Sequence, residues 1–130
     1  MNIDKLIPKH KEDIETAEKL SRYSLEELKS IVPQLLTWIQ DMNWRVSRPV
    51  AKYLESNSEH LTEDIIGILK GTDEIWKYWC IHVFGLDTEK PIDPKLMKEF
   101  DRIAAFPTPG EVDEEVQELA IQLVNKKKFK

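Results

Sequence analysis

Apolar residues recur along this chain at three- and four-residue intervals, broken by short polar stretches. Ile14, Ala17 and Leu20 mark a narrow apolar edge on a helix over about 11–22. Ser24 and Glu27 then form a capping box, and Leu25, Leu28 and Ile31 follow at helical spacing. A residue before proline avoids the α region, so this short helix is expected to end near Val32, with Pro33 opening the next. That next helix carries Leu35, Leu36, Trp38 and Ile39 and stops at Asp41-Met42-Asn43. A further helix spans about 44–56, with Val46, Val50, Tyr53 and Leu54 on one face. Pro49 lies inside it, and a start near Trp44 or Arg45 would cost a backbone bond and bend the helix.

The second half repeats the theme. Ile65, Ile66, Ile68 and Leu69 fit a helix over about 61–70 that Gly71 terminates. Thr72 or Asp73 caps a helix holding Ile75, Trp76, Trp79, Cys80, Val83 and Phe84, and Gly85 ends it. The polar stretch 86–93 reads as a loop. Asp93-Pro94 is a cap followed by proline at the first helical position, and Leu96, Met97, Phe100 and Ile103 carry that helix to about Ala105. Thr108 and Glu111 form another capping box, with Pro109 just inside it. The last helix uses Val112, Val116, Leu119, Ala120, Leu123 and Val124. The one competing strand signal, Ile81 to Phe84, sits inside a helical pattern. The pattern therefore predicts an all-α fold.

A shift of 30 residues superimposes part of the pattern on itself. Leu35 meets Ile65, Leu36 meets Ile66, Ile39 meets Leu69, Val46 meets Trp76, Val50 meets Cys80 and Leu54 meets Phe84. Repeats of this kind are hairpins that bury their faces by stacking. The run Pro33-Gln34-Leu35-Leu36, then Asp41, then Val46 through Leu54 resembles a HEAT repeat unit. One departure is that Arg45 and Arg48 bracket Val46, whereas the family places arginine directly after the valine. The resemblance implies a short right-handed α-α superhelix of about six or seven helices. On this reading 1–130 is a single domain with units over about 33–56, 61–85 and 94–125 and capping helices over about 11–32. Three further stretches, Leu6-Ile7-Pro8-Lys9, Trp38-Ile39-Gln40-Asp41-Met42-Asn43-Trp44 and Ile75-Trp76-Lys77-Tyr78-Trp79, are similar to a family of small bacterial proteins described only as a domain of unknown function. That resemblance implies a helical fold and a bacterial origin, and no activity.

Charge narrows the function. The 130 residues carry 19 basic and 24 acidic side chains, a formal charge of −5. A broad phosphate-binding face needs the opposite balance, so nucleic acid is not the expected partner. The basic run Lys126, Lys127, Lys128 and Lys130 reads as a solvated tail that complements the dipole of the last helix. Cys80 has no second cysteine to pair with, which fits a reducing compartment. Met1-Asn2-Ile3-Asp4-Lys5 lacks the apolar run of a secretory signal, and no window approaches the roughly 20 apolar residues of a membrane span. The expected location is cytoplasmic, without membrane attachment.

No motif carries chemistry. His10, His60 and His82 are scattered, and no H-E-x-x-H, C-x-x-C, glycine-rich phosphate loop or G-x-S-x-G occurs. Neither catalytic residues, a metal nor a cofactor is expected, and the balance leans towards a non-enzyme while an enzyme stays open. Acidic pairs such as Asp73-Glu74 sit in first helical turns, where the dipole explains them. Cys80 reads as a buried, inert thiol.

Four tryptophans remain. Trp38, Trp76 and Trp79 read first as core residues and second as anchors for a partner. Trp44, at a turn, is the best single anchor. Arg45, Arg48 and Lys52 share one helical face, and the 30-residue shift aligns Arg48 with Tyr78 and Lys52 with His82. In HEAT-like stacks the second helices line the concave side. Trp44, Arg45, Arg48, Lys52, Tyr78 and His82 are therefore the candidate partner-binding residues, against the plainer reading of a solvated face. The leading expectation is a non-catalytic module that binds an acidic protein, since Arg forks suit carboxylates. Two alternatives stay open. One is a small-molecule or nucleic-acid-binding enzyme with a site between helices, as HEAT-like DNA glycosylases have. The other is a structural or self-associating protein, such as a two-fold homodimer.

Overall fold

The computed structural model describes residues 2–128, the side chain of Lys128 excepted. Every regular element among the described residues is helical, and none is a strand. The helices are α1 (Ile14–Lys19), α2 (Leu25–Leu28), α3 (Val32–Thr37), α4 (Ser47–Ser56), α5 (Thr62–Leu69), α6 (Glu74–Ile81), α7 (Pro94–Ala105), α8 (Pro109–Asp113) and α9 (Val116–Lys128). No helix among the described residues is long and apolar enough to cross a membrane.

Helix starts follow the capping chemistry. Asp13, Asp73 and Asp93 accept N–H groups from the first turns of α1, α6 and α7. Ser24 with Glu27 and Thr108 with Glu111 close full capping boxes on α2 and α8. These side chains satisfy the amide donors that a helix start leaves unpaired.

Helix interiors and ends depart from the apolar pattern in several places. The expected 11–22 helix is α only over α1, then tightens into a 3-10 turn at Leu20–Arg22. Val32 adopts φ −54° and ψ −44° as the first residue of α3, so the chain runs helically through Pro33. The steric bias on a pre-proline residue is a preference, and burial of Val32 with Leu35 and Leu36 outweighs it. α4 begins at Ser47 rather than at 44 or 45, which makes Pro49 its third residue. There the missing N–H had no partner to lose, and no bend is needed. Finally, the expected single last helix breaks after α8, where Glu115 takes a positive φ of 64°.

Gly85 does not simply end α6. It sits in a π turn over His82–Leu86 that continues α6. A Cβ at Gly85 would lie 2.6 Å from Leu123 Cδ2. Glycine fits there because a larger residue would have to push the Leu123 side chain of α9 aside.

The chain divides into two compact units, one up to His60 and one from Leu61. In the first, α4 packs on α1 and α3, and Leu20, Leu35, Ile39, Val50 and Leu54 have no exposed surface. In the second, α9 packs on α6, α7 and α8 while α5 meets α6 and α7, around Ile65, Leu69, Cys80, Phe100 and Leu123. Truncating any of these core leucines or isoleucines to alanine removes contacts worth about 2–5 kcal/mol. Of the residues paired by the 30-residue shift, Leu35 and Ile65, Ile39 and Leu69, Val50 and Cys80, and Leu54 and Phe84 are buried in both members.

Candidate functional site

The turn between α3 and α4 builds the site in the first unit. Asp41 Oδ1 accepts the Asn43 N–H at 2.8 Å, and the Asp41 carbonyl accepts the Trp44 N–H at 3.3 Å. The Ser47 hydroxyl, at the start of α4, lies 2.5 Å from the Trp38 carbonyl and 2.8 Å from that of Asp41. This buried serine fixes the turn and so fixes where both tryptophans project. Their rings meet edge to face, 5.8 Å apart at 74°, a favoured arrangement for π systems.

A strap formed by residues 9–13 crosses the same turn. The Val46 N–H donates to the Lys11 carbonyl at 2.9 Å. Lys11 Nζ lies 5.1 Å from the centroid of the Trp44 ring, within cation–π range. Glu12 Oε2 accepts from Arg45 Nη1 at 3.2 Å. Asp13 ends the strap. Partial burial pushes its carboxyl up, but the N–H groups of Lys9 and Thr16 outweigh this and hold it below the usual carboxylate range. Between strap and turn lies an open cleft of about 620 Å³ lined by His10, Lys11, Glu12, Thr37, Trp38, Gln40 and Trp44.

Trp44 is half-buried, and Arg45 is exposed in the turn that leads into α4. Arg48 and Lys52 are exposed one helical turn apart on α4. Lys52 also lines a second cleft of about 470 Å³, with Tyr23, Pro49 and Tyr53 among its walls. The Tyr53 hydroxyl donates to the Tyr23 carbonyl at 3.1 Å. Burial, with Glu27 nearby, pushes its pKa up and keeps it a donor.

Tyr78 and His82 belong to the second unit. They form a half-buried ring cluster with Trp79, with centroids 5.0 Å apart for Tyr78–His82, 5.1 Å for Tyr78–Trp79 and 5.6 Å for Trp79–His82. His82 Nδ1 lies 3.8 Å from Asp87 Oδ2. The structure thus places Arg45 beside the cleft that Trp44 lines, paired with the lining residue Glu12, and groups Tyr78 with His82 in one cluster. None of the four tryptophans is fully buried, so the core positions expected for Trp38, Trp76 and Trp79 are corrected to half-buried ones. Aliphatic residues, with Phe84 and Phe100, fill the interiors of the two units instead.

A buried ionic cluster in the second unit is barely foreshadowed by the residue pattern. The Lys77 ammonium, on a side chain only 2% exposed, sits 3.0 Å from Glu74 Oε1 and 2.9 Å from Glu111 Oε2. Arg102 forks onto both oxygens of Glu111 at 2.9 Å and reaches Glu99 Oε1 at 2.8 Å. Burial drives the Glu111 carboxyl up, but the hydrogen bonds from Arg102, Lys77 and the Thr108 N–H prevail and bring it to about 2. Glu111 in turn raises the Arg102 pKa. A general acid or base needs a pKa near the working pH. Glu111 is instead held ionised and saturated, which marks a structural cluster. Its only signals in sequence were the i, i+3 spacings of Glu74 with Lys77 and Glu99 with Arg102, and the capping box at Glu111.

Cys80 has no exposed surface, and burial pushes its thiol pKa up, so it is a poor nucleophile. Among the described residues no group of three or more His, Cys, Asp or Glu is placed to hold a metal ion. Lys126 donates to the Leu86 carbonyl at 2.6 Å, whereas Lys130 lies outside the described residues.

The described residues thus form an all-helical protein with an aromatic cleft on its first unit and, in its second, a buried ionic cluster centred on Glu111. It belongs to the family described as Domain of unknown function (DUF5071), which matches residues 6–124. No curated protein matches the chain.

Proposed function

We propose that this protein is a non-catalytic interaction module that receives an acidic segment of a partner protein at the Trp44 cleft and along the α4 face. The observation that carries the reading is the cleft itself. A fixed, half-buried tryptophan pair opens to solvent beside His10, Lys11 and Arg45. Tryptophan and arginine dominate binding hot spots because they bury large area and form planar, multidentate contacts. Arg48 and Lys52 extend the positive charge along α4, on a chain whose overall charge is −5. That local reversal of sign favours acidic partners and speeds their approach.

The reading extends to Tyr78 and His82 because they hold the repeat positions of Arg48 and Lys52. It takes the hairpins as HEAT-like units of a short right-handed superhelix, a family resemblance that argues for binding only by analogy. The lone cysteine, buried and unpaired, suits a reducing compartment and supports the reading of a cytoplasmic protein, and the bacterial origin rests on the family resemblance alone.

Affinity capture from native lysate followed by mass spectrometry tests the reading. The wild type is expected to hold a protein that both Trp44→Ala and the triple variant Arg45→Glu, Arg48→Glu, Lys52→Glu release, while both variants stay folded and the triple variant keeps the wild-type melting temperature. Equal capture by all three rules out this surface. The cleft also falls in the size range of small-molecule sites, roughly 300–1,000 Å³. A metabolite that raises the melting temperature of the wild type but not of Trp44→Ala would favour that second reading.

A further inference from the structure

Trp44, which lines the cleft, and Arg45, which follows it at the cleft's edge, are both already engaged by neighbours in one short segment. Glu12 occupies Arg45 at 3.2 Å, and Lys11 lies over Trp44 at 5.1 Å. The segment is tied to the turn at Lys11, closed on itself between Lys9 and Asp13, and joined to the start of α1 through Asp13. Its Lys11 carbonyl accepts from Val46, and Asp13 accepts from Lys9 and Thr16. The side-chain contacts themselves are exposed, with Arg45 at 69% and Glu12 at 60%. Exposed ion pairs and exposed cation–π contacts bind weakly. They orient the segment but yield readily to a competitor.

From this arrangement we infer that the 9–13 strap is an intramolecular competitor for the Trp44 cleft, and that the contacts it makes describe the partner. Glu12 stands where a partner carboxylate binds Arg45. Lys11 covers the face of Trp44 that a partner's apolar side chain takes. The occupant is therefore an acidic peptide segment of another protein carrying an aromatic or leucine side chain among its carboxylates. On binding, its carboxylate replaces Glu12 at Arg45. Lys11 leaves the indole and turns to a second carboxylate, for which its ammonium is free to rotate. The inference rests on the acidic-partner reading above. Affinity falls in proportion to the time the strap is closed. An exposed pair such as Glu12–Arg45 sets that penalty at about two- to fivefold.

A display selection of random short peptides on the wild-type chain supplies the probe, and titration of the selected peptides onto purified variants reads the effect. The selection is expected to return Asp- and Glu-rich peptides around one aromatic or leucine. Glu12→Gln is expected to bind them about two- to fivefold tighter than wild type, and Trp44→Ala to lose them. Glu15→Gln makes the same change of formal charge on α1, where Glu15 faces Lys19 at 3.9 Å rather than Arg45, and is expected to match wild type. Equal gains from Glu12→Gln and Glu15→Gln reduce the effect to net charge and overturn the strap. Acidic peptides with no gain from Glu12→Gln overturn the strap while the acidic-partner reading stands. Peptides without acidic bias overturn both.

Discussion

Replacing Lys77 by methionine removes one ammonium from a site built to need it. Methionine matches most of the lysine stem in volume, so the change isolates charge from packing. Lys77 is 2% exposed and its two carboxylate partners, Glu74 and Glu111, are 16% and 0% exposed. With Lys77 gone, Glu99 and Glu111 keep Arg102 while Glu74 keeps no cation of the cluster, and the cluster's formal charge goes from −1 to −2. Glu74 Oε2 is already buried without a partner, so its carboxylate would lose its only cation. Breaking a buried ion pair on one side costs about 3–5 kcal/mol, because a charge is left desolvated and unpaired. For a chain of this size that corresponds to a melting temperature lower by roughly 10–20 °C. Urea unfolding followed by far-ultraviolet circular dichroism measures it. Adding Glu74→Leu to Lys77→Met should recover part of the loss, since it removes the stranded charge. A Lys77→Met variant within about 1 kcal/mol of wild type would refute the reasoning and show that water reaches the cluster.

Further expectations follow from single residues. Glu111 titrates near 2 in the folded protein against an ordinary 4.5. Its folded pKa is depressed, so its stabilisation is present above about pH 4.5 and is lost as pH falls towards 2. The loss amounts to at most about 3 kcal/mol, and Glu111→Gln should flatten that part of a stability–pH profile; an unchanged slope would contradict the assignment. Glu115→Gly relieves a left-handed residue just past the end of α8 and should raise stability by up to about 1 kcal/mol in urea titration. Gly85→Ala forces Leu123 aside and should cost about 1–3 kcal/mol by the same assay. Trp44→Ala, at a half-buried position, should lower the melting temperature by only a few degrees, roughly what about 1 kcal/mol produces, which keeps its binding defect interpretable.

Much of the helical layout was legible because it rests on local chemistry. Asp73, Asp93, Ser24 and Thr108 announce helix starts, since a short polar side chain before an apolar run has a backbone N–H to satisfy. What the pattern missed depends on contacts distant in sequence or on rare backbone states. Glu115 carries no glycine signal for its positive φ, so the break between α8 and α9 is invisible. Lys77 stands in the apolar run Ile75–Ile81 as an apparent exception, and only folding brings Glu111, 34 positions away, within reach. The cleft was half legible. Trp44 and Arg45 stood out at a turn, but the strap over 9–13 has no periodicity, and its hold on Trp44 and Arg45 comes from Lys11 and Glu12, more than 30 positions earlier.

The central claim, that the Trp44 cleft receives an acidic partner, is tested most directly by photo-crosslinking in cells with benzoyl-phenylalanine in place of Trp44. The account predicts a discrete crosslinked protein with an acidic segment at the crosslink, lost when Arg45, Arg48 and Lys52 are changed to glutamate and absent when the probe replaces the exposed Val112 of the second unit. No discrete product from position 44, or one that survives the charge reversal, would contradict it.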